Sequence, residues 1–131
     1  FWLPLKDRID AAIFACGSLV HNALLAAAQL ERVGISVSVI NIPSIKPLDE
    51  KTVIELARRA GAAVTVEEHQ INGGMGSAVA EVLARNYPVP MEFIGVQNRF
   101  GESGSPQQLI EAFGMSVGDI KRVVEKVIKR K

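Results

Sequence analysis

Four short apolar stretches rich in β-branched and aromatic residues, at 11–16, 36–42, 63–67 and 91–96, recur along the chain with longer segments of helical spacing between them. Stretches of this length suit strands, and the intervening segments are long enough to cross over a sheet. Antiparallel neighbours can be joined by a two-residue hairpin, whereas parallel neighbours need a connection of about a dozen residues or more, usually a helix. The alternation therefore predicts a parallel sheet with helices packed on its faces.

The intervening segments carry their own start and stop signals. The first follows Gly17 with Ser18 as its N-cap, presents Val20, Leu24, Ala27 and Leu30 on one side, and stops at Gly34. The second starts at Asp49, with Leu48 and Val53 as a hydrophobic staple, buries Val53, Leu56, Ala57 and Ala60, and ends at Gly61. The third opens on Gly73, Gly74, Met75, Gly76 and Ser77, continues through Val79, Val82 and Leu83, and ends near Asn86. Residues 97–105 then read as a loop, after which Ser105, Pro106 and Gln108 begin a short helix that stops at Gly114. The last helix starts at Ser116, with Asp119 three residues on, and aligns Ile120, Val123, Val124, Val127 and Ile128.

Composition narrows the class of partner. With 131 residues, 48% hydrophobic and 22% charged, residues 1–131 make one domain with a continuous core and no internal boundary. The 15 Lys+Arg and 14 Asp+Glu leave a net charge of +1, which gives no sequence-wide attraction to nucleic acid or anionic lipid. Lys121, Arg122, Lys126, Lys129, Arg130 and Lys131 concentrate on the last helix, opposite its apolar stripe, where they suit a solvated face near the negative end of the helix dipole. Cys16 is the one cysteine, so no internal disulfide forms, and a reducing, cytoplasmic setting is expected. No apolar stretch approaches the roughly 20 residues that cross a bilayer. The chain begins at Phe1 rather than a methionine and reads as a piece of something longer.

In an open α/β sheet, function gathers at the loops beyond the carboxyl ends of the strands. Here that rim offers Lys46, Glu67, Glu68, His69, Asn72 and Arg99. Paired carboxylates beside a histidine suggest acid–base work, but successive residues on a strand end point to opposite faces, so Glu67 with His69, or Glu68 alone, would act together. An interface or rim set of ion pairs is the preferred reading, and no second histidine stands at ligand spacing to make a metal site. Gly73, Gly74 and Gly76 before Ser77 would let backbone N–H groups approach an anion, yet Val79 occupies the place where a dinucleotide fingerprint needs a small residue. Close packing of the helix explains these glycines better. His21 is expected to be a packing residue and Cys16 a buried small one. No nucleophile, base and orienting group can be assembled.

The phrases GISVSVINIPSIKPLDEKTV (34–53), VTVEEHQINGGMGSAVAEVL (64–83) and NRFGESGSPQQLIEAFGM (98–115), in this order after Gly17 and Ser18, resemble the C-terminal domain of transketolase. The resemblance runs through 10–129. The same domain closes 1-deoxyxylulose-5-phosphate synthase and the beta subunit of 2-oxoacid dehydrogenases, and the FGESG phrase at 100–104 leans toward transketolase. It implies a Rossmann-like three-layer α/β/α sandwich with a five-stranded mixed sheet, four strands parallel and one antiparallel at the edge, the extra strand coming from Phe1 to Leu5.

The resemblance also implies a thiamine-diphosphate enzyme that moves a two-carbon ketol unit between sugar phosphates and binds its cofactor through a divalent metal, Mg, in other domains. The GDG segment that holds the metal, and the glutamate that activates the cofactor, have no counterpart among these residues. No catalytic, cofactor or metal ligand is therefore assigned. The isolated chain is expected to be inactive, with Glu67, Glu68, His69, Gly73, Gly74, Gly76, Ser77 and Arg99 as interface or anion-site residues facing the other transketolase domains or subunit and a homodimer partner. A stand-alone anion- or nucleotide-binding module is the alternative.

Overall fold

The computed structural model describes residues 8–17, 19–42, 49–70, 75–96 and 116–131, the side chains of 68–70 and 96 excepted. Strands β1 (Ala11–Ala15), β2 (Val37–Asn41), β3 (Ala63–Gln70) and β4 (Met91–Val96) form one sheet in the order β2-β1-β3-β4, with every neighbouring pair parallel. Helices α1 (Leu19–Arg32), α2 (Glu50–Ala60) and α3 (Met75–Asn86) make the crossovers, and α4 (Val117–Lys129) follows the last strand.

All five residues of β1 are fully buried, as a central parallel strand covered on both faces requires. Its alternation divides the core. Ala11, Ile13 and Ala15 meet Ala23, Ala26 and Leu30 of α1 and Ile120, Val124 and Val127 of α4. Ala12 and Phe14 face Val53, Leu56 and Ala57 of α2 and Val79 and Leu83 of α3. Two helix layers thus sandwich the sheet.

The helix ends follow the signals in the sequence where the residues are described. Asp49 caps α2 by accepting from the Thr52 N–H at 3.2 Å, and Gly61 closes the helix at φ 74°, its N–H bonded to the Ala57 carbonyl. The Thr52 hydroxyl and N–H hold the Asp49 carboxyl below its ordinary value. Ser116 and Asp119 form a reciprocal capping box on α4. Partial burial pushes the Asp119 carboxyl up, but the Ser116 hydroxyl and N–H together with Arg122 outweigh it and hold the group below its ordinary value. Ser18, Leu48 and residues 105–114, which carry the other expected caps, lie outside the described residues.

Two expectations are corrected. Among the described residues the sheet has four strands, all parallel, and no antiparallel edge. The fifth strand was implied by the family resemblance, its assigned segment, Phe1 to Leu5, lies outside the described residues, and each described connection contains a crossover helix, which suits parallel pairing. His21 is exposed rather than packed. At about 100° per residue it lies on the side of α1 opposite Leu19, Ala23 and Ala26, while Val20 and Leu24 flank the buried stripe.

The amino ends of the strands are tied together by polar contacts. Asp10 Oδ2 accepts the Ser36 N–H at 2.8 Å, and Arg8 donates to the Gly34 carbonyl at 2.6 Å. Lys131 donates to the Ala60 carbonyl at 2.8 Å, and Glu92 pairs with Lys126 and Arg130 of the α4 region. None of the helices in the described residues is long and apolar enough to cross a membrane.

Candidate functional site

At the opposite edge of the sheet, the carboxyl end of β3 meets the start of α3. Alternation along β3 sends Ala63 to the α2/α3 face, and Thr65 and Glu67 follow it at the period of two. Glu67 is fully buried. Its Oε1 accepts the Met75 N–H at 2.9 Å and its Oε2 accepts the Gly76 N–H at 2.5 Å. A carboxylate with no partner is strongly disfavoured in such a place. Two charge-assisted bonds to the positive end of a helix answer that penalty, each contributing about 1.5–3 kcal/mol. Glu67 thereby does for α3 what Asp49 and Ser116 do for their helices, but it reaches in from the neighbouring strand.

Gly76 makes that reach possible. A Cβ at this position would lie 2.8 Å from Glu67 Oε2, 2.8 Å from Thr65 Oγ1 and 3.2 Å from Phe93 Cδ2. The helix backbone therefore rests directly on β3 and β4, whose register aligns Thr65 with Phe93. Thr65 Oγ1 is buried against this glycine with no hydrogen-bond partner among the described residues. The β3/β4 pairing shifts register between Val66 and Gln70, so Glu67 sits at an irregularity that ends the regular ladder.

Of the residues singled out in the sequence, the structure brings Glu67 and Gly76 together. Ser77 is half-buried in the first turn of α3. Glu68 and His69 lie on β3, with side chains outside the described residues, as are Lys46, Asn72, Gly73, Gly74 and Arg99 altogether. Cys16 is half-buried at the end of β1 rather than buried as expected, its N–H donating to the Val66 carbonyl at 3.2 Å. Thr65 and Phe93 belong to the site and were missed. The signal that could have found Thr65 is the period of two that puts it on Glu67's face, under a glycine that opens a helix.

Chemically, this is an anchor. Both oxygens of Glu67 are engaged by backbone N–H groups and closed off from solvent, which suits holding a helix in place more than exchanging protons with a substrate. Among the described residues no group of three or more His, Cys, Asp or Glu side chains converges to hold a metal ion.

Comparison with known proteins gives a consistent result. A family model described as the C-terminal domain of transketolase matches residues 2–120. The chain is 42% identical over 127 residues to a 6-deoxy-6-sulfo-D-fructose transketolase subunit of Clostridium sp. (strain MSTE9), covering 97% of this chain and 39% of that protein. It is 44% identical over 117 residues to 1-deoxy-D-xylulose-5-phosphate synthase of Syntrophotalea carbinolica, covering 88% of this chain and 18% of that protein. Among solved structures, a split-gene transketolase described as an inactive beta4 tetramer superposes with a TM-score of 0.89 at 44% identity, covering 95% of this chain and 41% of that one. The chain thus spans less than half the length of each of these relatives.

Proposed function

The chain belongs to the family of transketolase C-terminal domains, and from that premise we propose that it is the C-terminal domain of a transketolase that moves a two-carbon ketol unit between sugar phosphates. Its own work is structural: it supports the dimer and the spacing of the catalytic domains, and it supplies no catalytic residue. Holding reacting groups at fixed spacing is a route by which such a domain affects rate. The observation that carries this reading is near-complete coverage of this chain by a transketolase subunit of which it accounts for only 39%.

Thiamine diphosphate and its Mg ion are assigned to the remaining part of the enzyme. The described residues do not suit them: Glu67 has both oxygens engaged, and no cluster of metal-ligating side chains converges. The partners are the other transketolase domains or subunit and a second copy in a homodimer. The single cysteine supports a cytoplasmic setting.

The similarity to 1-deoxy-D-xylulose-5-phosphate synthase supports a second reading, in which the same architectural role serves that enzyme. Titration calorimetry and substrate assays separate the possibilities. This chain alone should give no heat with thiamine diphosphate and Mg, and mixed with its companion polypeptide it should support ketol transfer between sugar phosphates. Micromolar cofactor binding by the chain alone would overturn the structural role, and synthase activity of the mixture would favour the second reading.

A further inference from the structure

Resting on that reading, we propose that Glu67 is a positioning residue, fixing the first turn of α3 at the carboxyl edge of the sheet for the contact this domain makes with the rest of its enzyme. Two residues here are ones that a helix start does not need. Helices are ordinarily capped by a short polar residue just before them, and this chain caps α2 with Asp49 and α4 with Ser116 in that way. At α3, where residues 71–74 lie outside the described residues, the Met75 and Gly76 N–H groups donate to a carboxylate from another element, fully buried, with no salt-bridge cation among the described residues. Among the described residues the desolvation cost of this carboxylate is met by the two N–H bonds alone, so the side chain and the first turn of α3 hold each other in one arrangement.

Gly76 is the second such residue, since glycine is a poor helix former. Here it removes the Cβ that would otherwise press on Glu67, Thr65 and Phe93. The two residues therefore act as a unit: the glycine lets the helix backbone down onto the sheet, and the carboxylate holds it there by two bonds. That unit lies at the carboxyl edge of the strands, where open α/β sheets bind ligands, and chains depart from their most stable local choices mainly where function needs a fixed geometry. What the unit fixes is the height and direction of α3 relative to both β3 and β4.

Glu67→Gln keeps the shape but turns an NH2 toward one of the two N–H donors, and Glu67→Asp keeps the charge one methylene short. Each variant is assembled with the remaining part of the enzyme and studied well below its melting temperature, where circular dichroism gives the same folded fraction as the unaltered chain. The readouts are kcat, KM, the dissociation constant for the remaining part, and hydrogen exchange at the Met75 and Gly76 amides. The expected result is faster exchange and a loss of about tenfold or more in kcat or in affinity for Glu67→Gln per folded molecule, with partial recovery in Glu67→Asp. A lower melting temperature with unaltered kcat and affinity would overturn the proposal and leave Glu67 a stability residue. An unaltered assembly with neither association nor ketol transfer would instead overturn the transketolase reading, and this proposal with it.

Discussion

Replacing Gly76 by alanine tests the anchor, because helix propensity and packing make opposite predictions. In an open helix the change stabilises by up to about 1 kcal/mol. Here the new Cβ would stand 2.8 Å from both Glu67 Oε2 and Thr65 Oγ1 and 3.2 Å from Phe93 Cδ2, well inside contact distance. Relief requires the first turn of α3 to lift, which stretches the 2.9 Å and 2.5 Å bonds to Glu67. Overpacking costs about 1–3 kcal/mol and a weakened charge-assisted bond about 1.5–3 kcal/mol, so after a propensity gain of about 1 kcal/mol the net loss is about 1.5–5 kcal/mol. For a domain of this size that is a fall of about 5–20 °C in Tm. Urea denaturation should show a lower midpoint at unchanged slope.

The internal control is Gly118, in the first turn of α4, where a Cβ would meet only Arg122 Nη1 at 3.7 Å and Ser116 Oγ at 3.9 Å. Gly118→Ala should therefore stabilise by about 0.5–1 kcal/mol. If Gly76→Ala raised stability as Gly118→Ala does, the close approach of α3 to the sheet would be refuted.

Other outcomes follow from the same contacts. Ser116→Ala removes one half of the α4 capping box and should cost about 0.5–2 kcal/mol, read by urea denaturation. Leu30→Ala, at a site 1% exposed between α1 and the sheet, should cost about 2–5 kcal/mol, whereas the same change at the exposed Leu25 should be near neutral. Asp49 and Asp119 are both held below their ordinary value of 3.8, so their contribution is fully present above that pH and is lost as the pH falls through the lower folded values; fraying of α2 and α4, followed by amide exchange or circular dichroism, should begin below about pH 4.

The architecture was legible because its signals are local. Apolar runs separated by helix-length segments leave few choices other than a parallel sheet, and Asp49, Gly61, Ser116 and Asp119 mark helix ends through hydrogen bonds within one turn. The anchor was less legible because it joins residues eight and nine positions apart on different elements. Nothing in the letters of Glu67 and Glu68 tells which one turns inward until strand alternation and the position of α3 are both known. The antiparallel strand was expected from kinship alone, and its segment, Phe1 to Leu5, lies outside the described residues. His21 shows the limit of reading an apolar helix as buried all round: one face of α1 meets solvent whatever its average polarity.

The most direct test of the architectural role is reconstitution. The purified chain is assayed for ketol transfer alone, then after mixing with the polypeptide that carries the cofactor-binding domains, with thiamine diphosphate and Mg in both samples. No turnover by the chain alone and activity that saturates as the two parts reach equal amounts are the expected results. Turnover of ketose phosphates by this chain unaided, or full activity of the companion without it, would contradict the account.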